Sequence, residues 1–245
     1  MRKRTARIFW KCHWVCKEFL YIHFGIGYNE GVVNLSILCV TQARSHALPF
    51  IERMLDVSFV CEDTEVVIAA DGDFARASLG YLDRFAKVVQ IRTEGFFESG
   101  LDEALSHCSG KYVLRLDDDE QVSFAMNHWL VAKKYLTSDH WQFMRAWLWK
   151  DKSHQILSQP YWPDWQTRLS LKSLSGGRTK IHAGSPYGSG TRAFVAIEHH
   201  KLLLTSVENR RMLVEHYESI QPGAGCREFY LPDETIPHLE IGDWK

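Results

Sequence analysis

The sequence predicts an α/β protein whose sheet is mostly parallel and covered by helices on both faces. Short apolar runs rich in β-branched residues alternate with stretches of helical period from residue 32 to about residue 116, the pattern of βαβ units. The runs are apolar throughout and do not alternate with polar residues, as expected of strands buried on both faces. No linker or internal repeat breaks the 245 residues, a length that suits one sizeable domain.

The first strand is expected in Val32–Val40 (VVNLSILCV) and is followed by a polar turn, Thr41–His46. Ala47–Leu55 reads as a helix, with Pro49 tolerated in its first turn. Glu65–Ala70 (EVVIAA) is the second strand and runs into Asp71-Gly72-Asp73; Phe74–Phe85 has a helical period, and Lys87–Ile91 is the third strand. Glu98–Cys108 reads as a helix with Gly110 as its stop, and Lys111–Leu116 (KYVLRL) is a fourth strand leading directly into Asp117-Asp118-Asp119-Glu120. Thr41, Asp71 and Asp117 therefore stand at carboxyl ends of strands, the edge at which open parallel sheets bind ligands.

Beyond Ser123 the pattern loosens. A helix is expected to about Tyr135, strands in Gln142–Trp149, Trp165–Leu171 and Phe194–Ile197, a turn in Gln159–Asp164, and a closing helix in Leu203–Tyr217. The Gly- and Ser-rich Ser173–Gly190 suits a segment that closes over a ligand. Residues 221–245 read as a tail. Residues 1–30 read as an extension in which Phe9, Cys12, Cys16, Phe19 and His23 recur at helical spacing beside Arg7, Lys11 and Lys17. Such an amphipathic helix either packs on the main domain or meets a membrane surface or a partner.

Composition narrows the classes. With 45% hydrophobic and 24% charged residues the chain is globular and not disordered, and a net charge of −1 gives no general attraction to nucleic acid. Six irregularly spaced cysteines do not form a disulfide framework, and Cys12, His13 and Cys16 lack the second ligand pair of a zinc module. The basic start Met1-Arg2-Lys3-Arg4 is followed by an apolar run broken by Lys11, Lys17 and Glu18, and no stretch approaches the roughly 20 apolar residues of a membrane span. The expected location is cytoplasmic.

Four consecutive carboxylates at a strand end repel one another, and a bound cation offsets that cost. Oxygen ligands favour Mg²⁺ or Mn²⁺, whose coordination is completed by substrate phosphates and water. The alternative is a solvated acidic loop that caps the next helix. Placement at the end of an apolar strand favours the metal reading.

KYVLRLDDDE (Lys111–Glu120) resembles the strand-plus-acid motif of family 2 glycosyltransferases, in which Leu-Asp-x-Asp-Glu is frequent. LSILCVTQARSHALPFIERML (Leu35–Leu55), EVVIAADGD (Glu65–Asp73) and ESGLDEALSHCSGKYV (Glu98–Val113) resemble the preceding elements of that family in the same order. YWPDWQTRLSLK (Tyr161–Lys172) resembles an Asp-x-Gln-x-Arg-Leu segment of a bacterial branch. The resemblance spans about residues 34–217 and implies the GT-A fold, with a nucleotide-sugar half at 31–122 and an acceptor-side half at 123–220.

It also implies roles. Thr41, Gln42, Arg44, Asp71, Asp117 and Asp118 would hold a nucleoside-diphosphate sugar, most simply one of the UDP type. Asp119 would ligate Mn²⁺ or Mg²⁺, with Asp117, His199 and His182 as further ligands. Asp164 would be the general base, and Arg168 would neutralise the leaving diphosphate. The implied reaction is a single, inverting sugar transfer to a hydroxyl, since the processive Gln-x-x-Arg-Trp signature is absent. Structural readings stand beside these: Asp71 and Asp164 are ordinary turn residues, both histidines are common as packing residues, and Arg168 pairs equally well with a carboxylate of the fold. Three rivals remain. A nucleotidyltransferase would carry a Gly- and basic-rich loop after the first strand, where Thr41–Leu48 has Arg44 and no glycine. A non-catalytic nucleotide-sugar-binding module would not need the intact acidic run. A modified nucleic acid is a further acceptor class, beside glycan, lipid and protein.

Overall fold

The computed structural model describes residues 32–178, 180–182 and 190–240. The amphipathic extension, the Cys12-His13-Cys16 group and residues 183–189 of the closing segment lie outside these. By its contacts the chain divides into residues 1–32 and 33–245, and all elements named below belong to the second unit.

Ten strands and seven α-helices are described. The first half holds β1 (Leu35–Thr41), α1 (Ala47–Val60), β2 (Thr64–Asp71), α2 (Asp73–Leu79), β3 (Lys87–Ile91), α3 (Leu101–Ser106) and β4 (Tyr112–Asp117). The second holds β5 (Glu120–Val122), α4 (Phe124–Val131), β6 (His140–Trp147), β7 (His154–Ile156), β8 (Trp165–Leu171), β9 (Thr191–His199), α5 (Lys201–Leu204), α6 (Val207–Ile220), α7 (Arg227–Tyr230) and β10 (His238–Glu240). Eight strands form one sheet in the order β3-β2-β1-β4-β8-β6-β9-β5. The pairs β3–β2, β2–β1, β1–β4 and β6–β9 are parallel, while β8 and β5 run against their neighbours. The α/β class and the mostly parallel sheet are as the sequence predicts.

The apolar runs explain the layering. Along β1, Ile37 and Cys39 face a core shared with α1, α2 and α4, while Leu38 and Val40 face a second core shared with α3. All seven residues of β1 are buried, so neither face can be polar. Each fully buried aliphatic side chain contributes about 1.5–3 kcal/mol. Gly110 has a different cause from the expected helix stop. α3 ends at Ser106, and a Cβ on Gly110 would lie 2.5 Å from the Ser36 backbone nitrogen, so the chain can enter β4 beside β1 only without a side chain there.

Three differences bear on function. The acidic run is not a free loop: Asp117 ends β4 and Glu120 opens β5, which pairs with the C-terminal end of β9 in the register Glu120↔His199. The expected closing helix is split. The Ser206 hydroxyl accepts from the Asn209 backbone N–H, which starts α6 at Val207 and leaves the short α5 directly after His199-His200. Residues 221–240 are not a tail: β10 pairs with β7, and Phe229 of α7 packs against Trp147 and Tyr161 in a third apolar cluster. No described helix is long and apolar enough to cross a membrane.

Candidate functional site

A cleft of about 850 Å³ opens at the carboxyl ends of β1, β2 and β4 and continues over β6 and β8 to the start of α5 and the face of α6. Thr41, Gln42, Arg44, Asp71, Asp117, Asp118, Asp119, Arg168, His182 and His199 all line it. Parallel register places the strand ends side by side: Thr41 pairs with Ala70 and Val40 with Asp117.

One end of the cleft is a network of neutral donors and acids. The Thr41 hydroxyl donates to Asp118 Oδ2 at 2.6 Å and accepts from the Ala43 N–H at 3.0 Å. Gln42 Nε2 donates to Asp71 Oδ2 at 3.1 Å, and Arg44 Nη2 donates to Gln42 Oε1 at 3.0 Å. Asp71 also accepts from the Thr93 N–H at 3.0 Å and the Thr93 hydroxyl at 2.7 Å. Thr93 was not singled out from sequence; its signal is its place just past the end of β3.

The acidic run divides its partners. Arg168 Nη2 donates to Asp117 Oδ2 at 2.7 Å and to Glu120 Oε1 at 2.6 Å. Burial works against the Asp117 charge, but Arg168 and then Arg115 outweigh it and bring its pKa down to about 2. Asp119 is 2% exposed, with Lys201 Nζ 3.2 Å from Oδ2 and His199 Nε2 3.4 Å from Oδ1. Burial again opposes ionisation, and Lys201 and His199 hold the carboxyl well below the usual range. Asp119 in turn raises the Lys201 ammonium. Lys201, which the sequence reading passed over, sits on α5 immediately after the histidine pair of β9.

These distances test the expected metal set. Asp119, just before β5, faces His199 at the end of β9 through His199 Nε2, while the buried Nδ1 on the other side of the ring meets no partner among the described residues. Two protein ligands with phosphate oxygens and water fit Mg²⁺ or Mn²⁺. The other two expected ligands do not join them. Asp117 is committed to Arg168, and the His182 ring packs edge-on against Tyr217 while its backbone N–H donates to Glu98 Oε1. Among the described residues no group of three or more His, Cys, Asp or Glu side chains is arranged to hold a metal.

Two catalytic expectations change. Asp164 is 7% exposed, and its Oδ2 accepts from Arg145 Nε at 2.7 Å and Trp147 Nε1 at 2.8 Å, its Oδ1 from Gln166 Nε2 at 2.5 Å. Burial raises its pKa, but Arg145 and the hydrogen bonds of Gln166 and Trp147 lower it overall, the opposite of what a proton acceptor near neutral pH requires. Its carboxylate anchors Arg145 and Trp147, which do line the cleft. Arg168 has one terminal nitrogen shared by two carboxylates of the fold, so it does not present a free fork to a diphosphate.

No protein-family model matches the chain, and no curated protein matches it. Among solved structures it is similar to S. aureus TarS 1-349, with a TM-score of 0.47 and 13% identity, covering 81% of this chain and 69% of that one. The complex of TarS 1-349 with UDP-GlcNAc gives 0.46 and 12%, over 81% and 70%. The 4-diphosphocytidyl-2C-methyl-D-erythritolsynthase from Anaerococcus prevotii DSM 20548 gives 0.39 and 11%, over 59% and 74%. All three scores lie below the level at which such a likeness carries an argument about this chain, and its α/β class is read from its own sheet.

Proposed function

We propose that the chain is a nucleotide-sugar-dependent glycosyltransferase of GT-A type that moves one sugar to a hydroxyl acceptor. One observation carries the reading: polar groups from β1, β2, β4, β6, β8, β9 and α5 meet in one cleft at the strand ends, with the hydrogen-bonded side chains around Asp71 and Asp118 in one part and buried ion pairs in another.

Each part of a donor has a counterpart. Asp71, Gln42 and Thr93 suit the base and ribose, since carboxylate, amide and hydroxyl groups recognise ring N–H and ribose hydroxyls. Thr41 and Asp118 fix the loop that borders them. Lys201 places a compact positive charge where the diphosphate departs, and Asp119 holds it there. When bound by Asp119 and His199, Mn²⁺ or Mg²⁺ would neutralise charge on the departing diphosphate. Asp164 positions Arg145 and Trp147 instead of taking the acceptor proton. Trp147 and Tyr230 supply flat apolar walls suited to a sugar ring.

The test is a donor screen on the full chain. Thermal midpoints are measured with a panel of nucleoside-diphosphate sugars, with and without Mn²⁺, followed by assay of released nucleoside diphosphate. Stabilisation by one donor and release of its diphosphate support the proposal. Release of pyrophosphate from a nucleoside triphosphate and a sugar phosphate identifies a nucleotidyltransferase instead. Stabilisation without turnover on any acceptor class identifies a binding module.

A further inference from the structure

The floor of the cleft holds buried guanidinium N–H groups that no acceptor among the described residues meets. Val113, Arg115 and Asp117 share the α3-side face of β4, and the β4–β8 register, continued one step past Leu114↔Leu169, sets Arg115 beside Arg168. Arg178 joins them from the segment after β8, 7% exposed. Arg115, Arg168, Arg178 and Thr167 line both the large cleft and a small chamber of about 10 Å³ behind it, room for about one oxygen atom. Ser170 and Ser175 also face that chamber.

Arg168 is answered by Asp117 and Glu120. Arg115 and Arg178 are not. Among the described residues, Nε and Nη1 of Arg115 and Nε of Arg178 are buried without a hydrogen-bond partner, and Nε of Arg168 is likewise unused. The Arg115 guanidinium stacks on the Phe97 ring at 5.1 Å, which holds its plane without satisfying its N–H groups. Asp117 and Glu98 are the carboxylates felt by both, but Asp117 is bonded to Arg168, and Glu98 makes no ion pair with either arginine, its Oε1 accepts the His182 backbone N–H, and burial raises its pKa. Burial and then the neighbouring Arg168 and Arg178 bring Arg115 down to about 9. Unpaired buried N–H groups on crowded guanidiniums are costly, and an oxyanion satisfies them and the charge together.

Resting on the glycosyltransferase reading, we propose that Arg115, Arg168 and Arg178 form a binding site for an oxyanion of the substrate, a carboxylate or phosphate carried by the donor sugar or the acceptor, separate from the donor diphosphate. The site makes the protein selective for an acidic sugar or a phosphorylated acceptor over neutral ones.

The experiment titrates the full chain with acetate and with inorganic phosphate at constant ionic strength and reads the thermal midpoint, for wild type, Arg178→Gln and Arg115→Gln. Both anions should stabilise wild type and lose that effect in the variants, while UDP affinity by calorimetry stays within about twofold in Arg178→Gln. No anion effect in wild type, an effect retained in Arg178→Gln, or a parallel loss of UDP affinity overturns the proposal, the last because the arginines then grip the diphosphate. Arg178→Gln remains the decisive variant if Arg115→Gln does not fold. Two pairs of probes locate the oxyanion. A drop of about tenfold or more in affinity for UDP-glucuronate, with UDP-glucose unchanged, puts it on the donor. The same contrast between methyl glucuronide and methyl glucoside in the presence of UDP puts it on the acceptor. Failure of wild type to bind any nucleoside diphosphate or nucleotide sugar of the panel would sink the glycosyltransferase reading but not the anion titration, so the two fail separately.

Discussion

Lys201 Nζ stands 3.2 Å from Asp119 Oδ2, joining the residue after a histidine pair to the third acid of a four-acid run 82 positions earlier. β5 and β9 make this contact, because pairing Glu120 with His199 leaves Asp119 and Lys201 just outside the two strand ends on the same side. Asp119 is nearly inaccessible and Lys201 mostly covered, so neither charge is solvated well once its partner is gone.

Lys201→Met should therefore cost about 2–4 kcal/mol in urea unfolding, because it leaves a buried carboxylate with His199 alone. UDP affinity should fall at least about tenfold, and Lys201→Arg should recover most of the stability by keeping the charge. Unchanged stability in the methionine variant would mean that Asp119 has other support.

Acid sensitivity follows from the same run. Asp117 is depressed to about 2 from an ordinary 3.8, and Asp119 is also held well below that ordinary value. A carboxylate with a lowered folded pKa binds fewer protons folded than unfolded, so its stabilisation is complete above about pH 4 and is lost as pH falls toward 2. Thermal midpoints of wild type should fall steeply across that window. Arg168→Gln, which removes the main partner of Asp117, should start less stable at pH 7 and lose less between pH 4 and pH 2. A parallel pair of curves would show that Arg168 is not what lowers Asp117.

The first half of the fold was legible because its signals are local. β3 (Lys87–Ile91) falls where its apolar run does, and β1, β2 and β4 within a few residues of theirs. The donor side of the site was legible for the same reason, since Thr41, Asp71 and Asp117 mark strand ends. Contacts made by non-local pairing were not. β5 is three residues that begin on the last acid of what reads as an acidic cluster, and its partner strand is β9. Arg115 reads as one polar residue in a strand of apolar ones, and only the β4–β8 register brings it to Arg168. Asp164 follows a proline like any turn residue, and its burial under Arg145, Trp147 and Gln166 depends on the β6–β8 pairing that carries those side chains.

Asp164→Asn tests the role that geometry gives this residue. Three donors converge on its carboxylate, and an amide would turn an NH₂ toward at least one of them. The variant should lose about 1–3 kcal/mol and much of its kcat together, through displacement of Arg145 and Trp147. If Asp164 were the general base, stability would hold while the acidic limb of the pH–rate profile disappeared. The expected profile keeps that limb at a lower plateau.

Thr41 is the remaining test, because its hydroxyl serves two partners at once. It donates to Asp118 and accepts from Ala43, whose φ of 54° lies in the left-handed region that a residue with a side chain seldom adopts. Thr41→Val keeps the shape but strands the half-buried Ala43 N–H and takes from Asp118 the hydroxyl that donates to it. The loop carrying Gln42 and Arg44 then loses the bond that holds its bend, and with it the alignment of Gln42 on Asp71. The variant should lose about 1–2 kcal/mol of stability, and its UDP affinity by calorimetry should weaken about tenfold. Thr41→Ser should restore both, since the hydroxyl and not the methyl makes the two bonds. A valine variant that binds UDP as wild type does would place the nucleotide elsewhere in the cleft.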